Sequence, residues 1–134
     1  MPDFKALIER IGVNEGFRSK PYQCSEDVWT IGHGLTWLTK EESLHILTGR
    51  ISQLHLKLLD DLDWYKDMPP EVQGVLIEMV FQIGFSGVMK FRKMIANMQE
   101  KNWKAAAEEM LDSLWAKQTP GRANRLAVIV REHG

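Results

Sequence analysis

The chain has a single cysteine, Cys24, in 134 residues. A lone thiol cannot close an intrachain disulfide, so the fold must stand by packing and is expected to form in a reducing compartment. Cys24 is then either inert filler or chemistry. An excess of charge of one sign is missing too. Seventeen Lys and Arg face eighteen Asp and Glu, a net of −1, which removes the strongly basic surface that a general nucleic-acid binder needs. No run of 18 apolar residues occurs, and the opening MPDFKALIER carries Asp3, Lys5, Glu9 and Arg10 within its apolar pattern. Neither a signal peptide nor stable membrane insertion is expected from this. The four histidines, His33, His45, His55 and His133, show no i, i+4 pairing and no cysteine at metal-ligand spacing, so no metal and no cofactor is implied. Internal repeats and low-complexity tracts are absent.

What is present suffices for one domain, because 44% hydrophobic residues in a chain of this length can bury a real core. Phe4, Leu7, Ile8 and Ile11 follow helical spacing, with Asp3 placed as N-cap and Gly16 as the stop, so a first helix should end near Glu15. From Lys20 to Ile31 the texture changes to PYQC and VWTIG around a polar SED turn, which reads as a small β-hairpin. Thr39 and Glu42 form a capping box, and Leu44, Leu47, Ile51, Leu54, Leu58 and Leu62 recur at three and four, giving one long helix over roughly 39 to 62. Gly49 inside it costs about 1 kcal/mol relative to alanine. Pro69 and Pro70 open a nearly all-apolar core helix, with Val72, Val75, Leu76, Met79, Val80 and Ile83, that stops at Gly84. A fourth helix is marked by Val88, Phe91, Ile95 and Met98. A fifth, capped by Asn102, carries Trp103, Ala107, Met110, Leu111 and Leu114; a sixth, opened by Thr119 and Pro120, carries Ala123, Leu126, Ala127 and Val130. The fold class is therefore α+β, mainly α, with a minor N-terminal lobe.

Chemistry is concentrated where the first helix meets the hairpin: Glu15, Arg18, Cys24, Glu26, Asp27 and Thr30. Composition alone would make these ordinary surface and turn residues. The segment NEGFRSKPYQCSEDVWTIGHG, however, resembles the start of the phage-type lysozymes, glycoside hydrolase family 24. Their signature is Glu, eight residues, Asp or Cys, five residues, Thr, and Glu15, Cys24 and Thr30 hold that spacing. Two further segments, EMVFQIGFSGVMKF (78 to 91) and WAKQTPGRANR (115 to 125), look like the C-terminal lobe of the family's T-even phage members. Some features depart from those members. LTWLTKEES follows the hairpin almost at once, so the smaller lobe is trimmed, and His33 stands between Gly32 and Gly34, two places before the position that carries histidine there. The near-neutral charge also weakens long-range attraction to an anionic wall.

The resemblance implies a lysozyme-like single domain over 1–134. Residues 14–38 would form the β-containing lobe and 39–62 the connecting helix, with 63–134 and helix 3–13 making the helical lobe. It implies a muramidase that cuts the β-1,4 bond between N-acetylmuramic acid and N-acetylglucosamine of bacterial peptidoglycan, acting as a monomeric phage endolysin. Such a protein is made in the host cytoplasm and reaches the wall by a separate route such as a holin. Glycoside cleavage needs a carboxylic acid that gives its proton to the leaving oxygen. Glu15 is the family's acid, and the negative end of a helix together with partial burial in a cleft favours its protonated form. Arg122 would reach and orient Glu15, acting the other way. Thr30 and the middle residue hold the incoming water. Here that residue is Cys24, and a free thiol with a pKa of about 8.5 is mostly neutral at pH 7 and a poor base. Three roles stay open for Cys24: a base of locally lowered pKa, a water holder with Thr30, or a direct nucleophile. The small buried hydrophobe is the bland alternative. Leu35, Phe81 and Gln82 fall at saccharide-cleft positions, although Phe81 would otherwise be core, and two further cleft positions bring Met94 and Glu109. Arg122 and Arg125 read otherwise as solvated helix residues, and most of the five tryptophans as packing. The competing readings are a lytic transglycosylase, which needs the glutamate but no water-holding pair, and a non-catalytic wall-binding module.

Overall fold

The computed structural model describes residues 3–23 and 28–133. Cys24, Glu26 and Asp27, with the expected hairpin turn, lie outside the described residues. The chain divides into two compact units, Met1–Ile46 and Leu47–Gly134.

In the first unit, helix α1 (Phe4–Glu15) starts as its sequence directs, with the Asp3 carboxylate accepting from the Ala6 N–H at 3.1 Å. It ends where Gly16 takes a left-handed φ of 68° and donates its N–H to the Gly12 carbonyl. Strand β1 (Arg18–Gln23) pairs antiparallel with β2 (Trp29–Gly32), in the register Arg18 to Gly32, Tyr22 to Thr30 and Gln23 to Trp29. The extra residues of β1 bulge between Arg18 and Tyr22, where Pro21 has no N–H to give the ladder. Beyond β2 the backbone doubles back, so that Ile31 and Leu35 exchange two hydrogen bonds of 2.8 and 2.9 Å. This tight return uses left-handed φ values at Gly32 and Gly34.

Helix α2 (Lys40–Asp61) opens with the expected capping box, Thr39 N–H to Glu42 and Glu42 N–H to the Thr39 hydroxyl, each 3.1 Å. Accepting from the Thr39 backbone and then its side chain holds the Glu42 carboxyl below the usual glutamate range. The boundary between the units falls within this helix.

The second unit contains the hydrophobic core. A 3-10 turn at Tyr65–Asp67 buries Tyr65, whose hydroxyl lies 2.7 Å from His55 Nδ1. Helix α3 (Pro70–Met89) is nearly apolar throughout and would pass for a membrane span by length and composition. Instead Val72, Val75, Leu76, Met79 and Val80 are packed in the core, and Gly84 (φ 80°, ψ 164°) breaks the helix where its sequence predicts a stop. Around α3 stand α4 (Arg92–Gln99), α5 (Trp103–Leu111), α6 (Leu114–Gln118) and α7 (Pro120–Arg131). Two boundaries differ from expectation. Val88 belongs to the short helical stretch after the Gly84 kink, so α4 begins only at Arg92. Leu114 opens a helix of its own, because Ser113 caps α6 by accepting from the Ala116 N–H at 3.1 Å. The described residues are thus mainly helical with one two-stranded sheet, the α+β class read from the sequence.

Candidate active site

In the first unit, Glu15 and Leu35 come to one turn, and Thr30 lies on the strand that leads into it. Glu15 is the last residue of α1, so its side chain is launched from the helix end toward the return that follows β2. Its carboxyl lies on the backbone of Gly34: a Cβ built there would sit 2.5 Å from Glu15 Oε2 and 2.8 Å from Cδ. A side chain there would have to push the Glu15 carboxyl aside, and the φ of 77° itself favours glycine. Glu15 is exposed, not partly buried as the sequence reading expected. Thr30 lies on β2, four residues before Gly34, and is the one buried polar residue among those described, at 7% exposure. Its hydroxyl points back to the carbonyl of its cross-strand partner Tyr22 at 3.5 Å, a long bond that leaves capacity for a better partner. Leu35 is exposed and closes the return through its bridge to Ile31. Cys24, the third signature position, lies outside the described residues. His33, between Gly32 and Gly34, packs its ring 5.3 Å from Phe17 and lies against Gly12. It braces the return against α1.

In the second unit, Phe81 and Gln82 lie on α3 and Arg122 on α7. Phe81 is 52% exposed, which corrects its default reading as core. Gln82 accepts from the buried indole N–H of Trp115 at 2.9 Å, which fixes its amide, while Trp115 packs edge-on against Phe91. Arg122, near the start of α7, donates through Nε to Glu78 Oε2 at 2.8 Å. Glu78 was not singled out by the sequence. With Phe81, Arg122, Ile77, Gly74, Leu47 and Ile51 it lines an open cavity of 460 Å³. Met94 is fully buried and Glu109 half-buried, and both border a separate 410 Å³ cavity with Lys90, Arg92, Asp112 and Trp115. Arg125 is exposed, near Gly121. Of the tryptophans, Trp103 and Trp115 are core, Trp64 is half-buried, and Trp29 and Trp37 are exposed.

The model for the family described as Phage lysozyme matches residues 13–131, which takes in Glu15, Cys24, Thr30, Leu35, Phe81, Gln82 and Arg122. The chain belongs to the phage lysozyme family. Among curated proteins, Probable T4-type lysozyme 1 of Dictyostelium discoideum is 38% identical over 66 residues, 49% of this chain and 39% of that protein. Probable T4-type lysozyme 2 of the same organism is 42% identical over 62 residues, 46% of this chain and 36% of its own length. The Pre-baseplate central spike protein Gp5 of Enterobacteria phage T4 is 43% identical over 58 residues, 43% of this chain but 10% of that protein. The chain thus spans well under half the length of the curated relatives it matches.

Proposed function

We propose that this chain is a lysozyme-type cell-wall hydrolase, and within that class a muramidase hydrolysing the β-1,4 bond between N-acetylmuramic acid and N-acetylglucosamine of peptidoglycan. The observation that carries the reading is the seating of the Glu15 carboxyl on Gly34, one return away from the buried Thr30 hydroxyl. Glu15 gives its proton to the glycosidic oxygen as the C–O bond breaks. A water held by Thr30 and Cys24 attacks the anomeric carbon from the opposite face, its proton passing to the thiolate fraction of Cys24 or to solvent, and the configuration inverts. Leu35, Phe81, Gln82 and Arg122 are assigned to the saccharide.

The biological setting proposed is that of a monomeric endolysin in host lysis, made in the host cytoplasm and released by a holin-like route.

Mass spectrometry of digested sacculi tests the reaction. Fragments ending in reducing N-acetylmuramic acid are the expected products. Anhydro-muramic ends would mean a lytic transglycosylase, and binding without release of fragments would mean a wall-binding module; either result overturns the proposal.

A further inference from the structure

Beyond the signature residues, we infer that Glu78 is a positioning residue for Arg122, holding its guanidinium from behind so that the opposite edge is presented in a fixed orientation. The inference rests on the muramidase reading above. Three ion pairs are found among the described residues, and two have ready local or terminal explanations: Lys57 with Asp61 is one helical turn, and His133 with Glu71 ties down the last residues. Arg122 with Glu78 joins positions 44 apart in the chain, from two different helices, at 2.8 Å.

The geometry is selective. Glu78 engages Nε alone, the nitrogen on the stem side of the guanidinium. The two terminal nitrogens keep their four N–H donors for an anion or a polar oxygen, in the planar fork suited to a carboxylate. The pair is also half-exposed, with 35% of the Arg122 and 44% of the Glu78 side chain accessible. Solvent screening leaves such a pair little to add to stability, so its structural value does not account for it. A second tether lies four residues along the same helix, where Gln82 takes the Trp115 indole N–H. Residues at i and i+4 share a face of α3. That face therefore fixes both α6 and α7 by charge-assisted or polar bonds, with the exposed Phe81 between the two anchors and the 460 Å³ cavity at their side.

Steady-state kinetics on solubilised peptidoglycan with Glu78→Ala, Glu78→Gln, Arg122→Ala and the Glu78→Ala/Arg122→Ala double variant test this. Glu78→Ala should lower kcat about tenfold, as misplacement of an orienting group does, with KM within about twofold and an unchanged thermal midpoint. Glu78→Gln, whose amide oxygen still accepts from Nε, should recover most of the loss. In the Arg122→Ala background the Glu78→Ala change should add nothing, the signature of two residues acting as one unit. An undiminished kcat in Glu78→Ala, equal losses in the Gln and Ala variants, or additive losses in the double variant would each overturn the assignment. Glu15→Gln measured alongside separates the two claims. Were it fully active, the muramidase reading itself would fall, whereas an inactive Glu15→Gln with an unaffected Glu78→Ala would remove only the role given to Glu78.

Discussion

At the scale of single residues, the decisive contact is a carboxylate against a glycine. Gly34 combines a left-handed φ of 77° with a Glu15 side chain packed where its Cβ would be. The two constraints can be separated experimentally. Gly32→Ala incurs the backbone penalty of a left-handed alanine, about 1–2 kcal/mol, but its new methyl would meet only the Leu35 side chain, at 3.8 Å. Gly34→Ala incurs the same penalty and in addition must displace the Glu15 carboxyl. Activity on sacculi is therefore predicted to fall about 10- to 100-fold further in Gly34→Ala than in Gly32→Ala. Equal activities would mean that the seat under Glu15 has no bearing on turnover. None of this was legible beforehand, since a glycine flanking a histidine carries no local sign of which side chain will lie on it.

Elements were read best where their signals are local. Asp3, Thr39 with Glu42, and Asn102 all cap the helices assigned to them, and the Gly84 stop stands as a kink in α3. The misplaced boundaries are those where apolar period ran on through a break in the backbone: Leu114 keeps the spacing of α5 although Ser113 has already started a new helix. The capping box at Thr39 gives α2 a pH dependence of fixed sign. Because Glu42 is held ionised in the folded chain, its contribution is fully present above the ordinary glutamate pKa and is lost as the pH falls through the lowered one. Melting curves of the wild type and Glu42→Ala should differ at pH 7 and converge on acidification. A gap that widens toward acid would show that the box is not the source of the shift.

The whole molecule is uneven. Every buried apolar side chain among the described residues lies in Leu47–Gly134, while Met1–Ile46 buries only Thr30. Sequence periodicity foretold the helical core, but it also marked Phe4, Ile8 and Ile11 as a packed face, and these are exposed. Pairings such as Arg122 with Glu78 span 44 residues and leave no trace in a local pattern, which is why Glu78 was not legible in the sequence. Amide hydrogen exchange should follow the burial: α1 and the hairpin should exchange through low-energy local openings, whereas α3, α5 and α7 should exchange only near the global limit. Equal protection in both units would contradict that distribution of stability.

The central claim, that one carboxyl at the close of the first helix supplies the proton, is tested most directly by the turnover of Glu15→Gln on purified sacculi. Loss of a general acid predicts a fall of about 10²- to 10⁴-fold with the fold intact by circular dichroism; turnover near the wild-type rate would contradict it.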